Sequence, residues 1–89
     1  MKKEMIEIAV KPKNIEESDY DRVTNYLEET AELFCESDDY LFVIVHQGTL
    51  AFEMIMKLLM LLEIEFEIGY CKVDDDGCVY YKGDKEYDD

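Results

Sequence analysis

The chain opens with a period-two pattern in which Ile6, Ile8 and Val10 alternate with Met5, Glu7 and Ala9, and an alternation of apolar and acidic positions returns past the middle of the chain. Between Lys3 and Val10, the large aliphatic residues Ile6 and Ile8 occupy every second position up to Val10. This period of two predicts a strand with one buried face. In residues 63–70, four apolar residues alternate with three glutamates and a glycine, which predicts a strand with one apolar and one acidic face.

A helical period separates the first strand from the middle of the chain. Five apolar residues recur there at spacings of three and four: Tyr20, Val23, Leu27, Ala31 and Phe34. They predict an amphipathic helix of about 17 residues. Its start is marked by Ser18-Asp19-Tyr20-Asp21, which is similar to a capping box, and Ser37-Asp38-Asp39 ends it.

The middle of the chain holds two apolar runs separated by a short break. Tyr40 to Val45 is β-branched and aromatic without alternation, which is typical of a strand covered on both faces and predicts the central strand. His46-Gln47-Gly48 breaks the run, and Thr49 can cap the next helix through its hydroxyl. Leu50 to Leu62 contains good helix formers and neither Gly nor Pro, so it predicts the second helix.

The last part of the chain predicts a hairpin. Asp74-Asp75-Asp76-Gly77 suits a type I′ turn at Asp76-Gly77, and residues 78–81 form the returning strand. The predicted order is β-α-β-α-β-β, which indicates one small α/β domain over residues 1–82. Its sheet would be mixed, with parallel crossovers and a C-terminal hairpin. Residues 83–89 form an acidic C-terminal tail.

Charge and cysteine content narrow the possible surroundings and partners. Twenty-three acidic against nine basic residues give a formal net charge of -14. Nucleic acid and anionic membranes are therefore disfavoured as direct partners. Cys35, Cys71 and Cys78 form no CxxC pair, which favours a reducing compartment over a disulfide between Cys71 and Cys78. The longest apolar helix is too short and too charged to span a membrane, so we expect a cytoplasmic protein.

No motif in the chain identifies an enzymatic activity. The single histidine, His46, follows the apolar strand, where α/β enzymes often place catalytic groups. Only Thr49 and Cys35 are candidate nucleophiles near it, and neither has a recognised spacing, so a structural histidine is the preferred interpretation. The aspartates of the hairpin lack the loop that holds calcium and are interpreted as a turn. We expect no catalysis, no cofactor and no metal ion.

Rows of glutamates offer a binding function instead. Glu28, Glu32 and Glu36 would stand about 6 Å apart on one helix, and Glu63, Glu65 and Glu67 about 6.8 Å apart on one strand face. These spacings are comparable to those of phosphates along nucleic acid, and attraction to a basic cleft would speed association. Plain solvation is the alternative. The predicted partner-binding residues are Asp21, Glu28, Glu29, Glu32, Glu36, Asp38, Asp39, Glu63, Glu65 and Glu67.

In size and charge the chain resembles the nucleic-acid-mimicking inhibitors that phages direct against host defence, anti-CRISPR and anti-restriction proteins among them. This resemblance is one of composition and involves no shared motif. It implies a small inhibitor that occupies the basic surface of a nucleic-acid-binding effector, because such channels are lined with Lys and Arg.

The second helix supports a different hypothesis. Apolar residues occupy nearly its whole circumference, and only Glu53 and Lys57 form a polar stripe. Either the helix is sandwiched between the sheet and the first helix, or it forms the interface of a homodimeric structural or adaptor domain. In the second case Phe52, Met56 and Met60 are the predicted interface residues. A small enzyme that uses His46 is the third alternative.

Overall fold

The computed structural model of the protein describes residues 2–87. It contains five strands, two α-helices and a short 3₁₀ turn at Pro12–Asn14. The strands are β1 (Lys3–Val10), β2 (Leu33–Glu36), β3 (Leu41–His46), β4 (Phe66–Val73) and β5 (Val79–Tyr81). The helices are α1 (Glu17–Thr30) and α2 (Leu50–Leu61). The described chain is therefore an α/β domain. Met1 of the predicted domain and Asp88 and Asp89 of the predicted tail lie outside the described residues.

The five strands form one antiparallel sheet in the order β2-β3-β1-β4-β5. β1 is central: Ile8 lies opposite Val43 of β3 on one side and Ile68 of β4 on the other. The prediction that Tyr40 to Val45 forms the central strand is thus wrong by one place, since β3 is next to the centre. β3 is nevertheless well covered, because Leu41, Val43 and Val45 pack under the helices while Ile44 is buried on the opposite face.

The sheet is antiparallel rather than mixed because the chain has one strand more than its pattern predicts. β2 pairs with β3 and reverses the chain direction before β3 reaches β1. β1 and β2 are consequently parallel to each other but separated by β3. With the order β-α-β-β-α-β, this is the split β-α-β arrangement of ferredoxin-like domains, here extended by β5.

The first helix is shorter than predicted at its C-terminal end. It ends at Thr30 because Ala31 adopts an extended conformation, and the N–H of Ala31 still donates to Leu27. Phe34, which fits the helical period, lies on β2 instead. The predicted cap at Ser18 is also wrong, because α1 begins at Glu17 after Glu16, whose side chain makes no capping bond.

Both helices cover the same face of the sheet. They bury one apolar cluster whose fully enclosed members include Ile8, Val43, Leu27, Ile55 and Leu59. The second helix begins as predicted, since the hydroxyl of Thr49 accepts from the N–H of Phe52. On the opposite face of the sheet, residues 2–87 place no helix but form a smaller cluster around Met5, Ile44 and Cys71.

The C-terminal hairpin has a different turn from the predicted one. The N–H of Gly77 donates to the carbonyl of Asp74, and of the turn residues only Gly77 has a positive φ. A type I′ turn would require positive φ at Asp76 as well. The loop is therefore a three-residue turn with a left-handed glycine, and Cys71 lies opposite Tyr81. Across residues 2–87, the helices are too short or too polar to cross a membrane.

Candidate partner-binding surfaces

All ten predicted partner-binding acids are exposed, but the structure distributes them over several separate places. Asp21, Glu28 and Glu29 lie on the outer side of α1, and we call these three residues the α1 acidic face. Of the others, Glu32 and Glu36 lie before and on β2, and Glu63 follows α2. The remaining four lie at one end of the sheet: Asp38, Asp39, Glu65 and Glu67. The acids therefore do not form the two regular rows predicted from the sequence.

The α1 acidic face combines exposed carboxylates with an unfavourable helix position. Glu28 and Glu29 lie in the last turn of α1, which contains no basic residue. The carbonyl end of a helix carries a partial negative charge, so each of the two carboxylates there is repelled by the helix. Within residues 2–87, the ion pairs involve other acids, and no residue of the α1 acidic face forms one.

The predicted row of Glu28, Glu32 and Glu36 does not exist. The helix ends at Thr30, so Glu32 lies in the connection that follows it and Glu36 lies on β2. Glu36 instead accepts a hydrogen bond of 2.7 Å from the Tyr20 hydroxyl. This bond is the main reason that the pKa of Tyr20 is raised above its ordinary value.

A second group of acids lies at one end of the sheet, together with basic residues. Nζ of Lys11 is 3.5 Å from a carboxylate oxygen of Glu65 and 3.8 Å from one of Glu67. The charge of Glu65, followed by that of Glu67, raises the pKa of Lys11. Asp38 and Asp39 line a depression shared with Lys11 and Lys13. These four acids are thus beside cations, which weakens their combined negative potential.

Glu63 is separated from the strand to which the pattern assigned it. It follows α2 with a φ of 56°, whereas β4 begins only at Phe66. The N–H of Glu63 donates to Met60 and that of Ile64 donates to Leu59, which is the bonding of a Schellman motif. The predicted strand row of three glutamates is therefore reduced to Glu65 and Glu67.

The helix-free face of the sheet holds a carboxylate that the sequence analysis did not assign to a site. Glu7 lies between Ile44 and Gly69 in the sheet register. The hydroxyl of Tyr81 donates to Glu7 at 2.5 Å, and this bond is the main cause of the raised pKa of Tyr81. The alternation in β1 is enough to place Glu7 on the face opposite to Ile6 and Ile8. The contact with Tyr81 depends on the pairing of β5 with β4, which the alternation does not indicate.

The surroundings of His46 give no support to a nucleophile pair. Its Nε2 atom is 3.8 Å from a carboxylate oxygen of Glu32. Thr49 donates to the carbonyl of His46 at 2.8 Å and caps α2, so its hydroxyl is occupied by backbone groups. Cys35 lies opposite Phe42, four residues before His46 on the strand, or about 13 Å away along it.

The aspartate-rich turn uses its first carboxylate to hold the hairpin. Asp74 accepts from the N–H groups of Cys78 at 2.9 Å and Asp76 at 3.0 Å, and from the hydroxyl of Tyr80 at 2.9 Å. The bond from Cys78 is the largest cause of the lowered pKa of Asp74. Among the described residues, no group of three or more His, Cys, Asp or Glu side chains is placed to hold a metal ion.

The second helix is covered on one side and bare on the other. Ile55 and Leu59 are fully buried, and the predicted interface residues Phe52 and Met56 are half-buried against the same core. Those two residues therefore serve the core, and only Met60 of the predicted three is freely exposed. The outer side also exposes apolar residues that the sequence analysis did not select: Leu50, Met54 and Leu61.

A groove of about 460 Å³ separates the two helices on the surface. Its apolar lining consists of Val23, Tyr26, Leu58 and Leu62, and Glu29 of the α1 acidic face lies at its rim.

No family model matches this chain, and no curated protein or solved structure matches it either.

Proposed function

We propose that this protein is a small, non-enzymatic inhibitor that binds the basic surface of a nucleic-acid-binding protein and thereby excludes nucleic acid from it. The observation that carries the proposal is the α1 acidic face: three exposed carboxylates that form no ion pair among residues 2–87. A basic partner would supply the missing counter-charge. The partner's natural ligand, a polyanion, would compete for the same surface.

The position of Glu28 and Glu29 supports this proposal. Carboxylates in the last turn of a helix cost stability, and each unfavourable interaction is worth a few tenths of a kcal/mol or more. Solubility does not require them there, since a net charge of magnitude about 2 to 8 suffices for a small domain and this chain carries -14. A binding role explains a placement that folding disfavours.

Regular phosphate-like spacing is not part of the argument. Asp21 and Glu28 are seven residues apart on α1, which is about 10 Å along the helix axis, and the predicted rows do not form. The proposal rests on three properties of the α1 acidic face: its charge is negative, its carboxylates are exposed, and they form no ion pair. These properties favour fast, electrostatically guided association with a basic surface, as expected for an inhibitor of anti-CRISPR or other anti-defence type.

The test begins by identifying a target and then measures competition. Tagged protein is used to retain nucleic-acid-binding proteins from cells that contain a nuclease effector, and each retained protein is purified. Binding of the target to its DNA is then measured with increasing amounts of this protein. We expect DNA and this protein to exclude each other, and their affinities for the target to fall as salt rises.

A matched pair of variants assigns the effect to the α1 acidic face. The triple change Asp21→Asn, Glu28→Gln, Glu29→Gln should slow association about tenfold or more and change dissociation less. The control removes three carboxylates elsewhere: Glu4→Gln, Asp76→Asn, Glu86→Gln. If both triples weaken binding equally, net charge and not this face is responsible. If a target binds this protein and its DNA at the same time, the inhibitor proposal is wrong.

A further inference from the structure

The outer side of α2 forms a continuous stripe that contains every exposed side chain of that helix. Four of the six are apolar, one is acidic and one is basic. The residues of this α2 stripe are Leu50, Glu53, Met54, Lys57, Met60 and Leu61. Spacings of three and four residues keep them on one side over the length of the helix, which is about 18 Å for twelve residues.

The apolar part of the α2 stripe is unusually open to water. Leu50 is 69% exposed, Met60 67% and Leu61 80%. Single exposed apolar residues are normal on protein surfaces, but a continuous stripe of them marks an interaction surface. Neither α1 nor the sheet covers this side, because both lie against the opposite side of α2 through Ile55, Leu58 and Leu59.

Four of the six residues of the α2 stripe are placed symmetrically about the level of Ile55. Leu50 and Met60 lie five positions before and after it, and Glu53 and Lys57 lie two positions before and after it. If a two-fold axis passes the exposed side of α2 at the level of Ile55, Leu50 of each copy faces Met60 of the other. The same operation places each acid opposite a base, as a self-complementary isologous interface requires.

We propose that the α2 stripe is a homodimer interface, in which the α2 helices of two copies pack antiparallel about an axis at the level of Ile55. Leu50 of one copy packs on Met60 of the other, and Glu53 pairs with Lys57. Because of the symmetry, each of these contacts occurs twice. Met54 lies between the charged pairs and covers the aliphatic stem of Lys57.

The charges of the α2 stripe are available for this pairing. Glu53 and Lys57 have the favourable order of an i,i+4 pair. Yet they form no ion pair with each other or with another residue in the described part of the chain. The stripe is therefore neutral overall, unlike the α1 acidic face, and a second copy can approach it without a local excess of negative charge.

The dimer differs from inhibitor binding in its response to salt. Each copy has a formal net charge of -14, so general repulsion opposes association. Raising the ionic strength from about 0.1 to about 1 M shortens the Debye length from about 10 to about 3 Å and relieves that repulsion. Dimerisation should therefore strengthen with salt, whereas binding of a basic target should weaken, and the two proposals can fail independently.

Sedimentation velocity over a wide range of protein concentrations tests the interface. Wild type should shift from monomer to dimer as concentration rises. Lys57→Glu should weaken the dimer about tenfold or more, because both inter-subunit pairs become repulsive. Combining it with Glu53→Lys reverses both charges and should restore dimerisation close to wild type. Lys13→Glu changes the net charge equally at a residue outside the α2 stripe and should have a much smaller effect.

Apolar substitutions provide a second measurement. Leu50→Ser and Met60→Ser should each weaken the dimer, whereas Tyr70→Ser, which removes an exposed apolar side chain from β4, should not. Thermal unfolding confirms that each variant is folded. A wild type that stays monomeric at all concentrations in high salt overturns the proposal. So does a charge reversal that fails to restore the dimer, or a dimer that is sensitive to Tyr70→Ser but not to the α2 changes.

Discussion

The three cysteines occupy different environments. Cys71 is buried under the helix-free face of the sheet, while Cys35 and Cys78 are exposed, and all three are free thiols. Burial, followed by the nearby charge of Glu7, raises the pKa of Cys71 to about 11. Since the thiolate is the reactive form, this thiol is protected both sterically and electrostatically.

We therefore predict that a thiol reagent titrates two cysteines rapidly in the folded protein near neutral pH and the third only on unfolding. Cys71→Ala should remove the slow phase, and Cys35→Ala should remove one rapid equivalent. The rate is followed by absorbance with and without denaturant. Three equally rapid equivalents in the folded protein would contradict the burial of Cys71.

At the scale of elements, the end of α2 contains a local conflict. Glu63 occupies the left-handed position of the Schellman motif, with a φ of 56°, where glycine is the usual residue. A side chain there costs about 1 to 2 kcal/mol relative to glycine. The motif is retained because Ile64, which follows, is buried against the core with Leu59.

Glu63→Gly should consequently stabilise the protein by about 1 kcal/mol, which corresponds to a rise in Tm of about 4 to 8 °C for a domain of this size. Glu63→Ala is the matched control. It removes the same carboxylate but retains the Cβ atom that disfavours the conformation, so its Tm should stay close to wild type. Equal effects of the two changes would indicate that charge, and not backbone strain, matters at this position.

The elements also show what the sequence could and could not predict. The strand at Lys3–Val10, the helix from Leu50 and the hairpin were predictable because their patterns have a single interpretation. β2 was not, since Phe34 satisfies both the helical period of α1 and a short strand, and no Gly or Pro marks the boundary. Missing this one strand changed the predicted sheet from antiparallel to mixed and placed Glu32 and Glu36 on a helix that had already ended.

On the scale of the whole molecule, the charge affects stability as well as binding. Acids surround the domain, and the described ion pairs are few and exposed. A net charge of -14 opposes the compact state through self-repulsion. Salt screens this repulsion without altering the core.

The free energy of unfolding should therefore increase with sodium chloride concentration over the range in which screening acts, and Tm should rise by several degrees. The double variant Glu28→Lys, Glu29→Lys replaces two negative charges by two positive ones at the C-terminal end of α1. It should have a higher Tm than wild type in low salt and a smaller increase with salt. A Tm that is independent of salt in both proteins would show that self-repulsion is negligible.

The central place of β1 also determines how the chain can fold during synthesis. Its two neighbours are β3 and β4, and β4 begins at Phe66, more than fifty residues after β1 ends. At about 5 to 20 residues per second, several seconds separate the synthesis of β1 from that of β4. During this interval one edge of β1 has no partner, so an apolar strand is open to pairing with other chains. The first strand to be made is thus among the last to be enclosed, and a newly made chain is most prone to aggregation before β4 emerges.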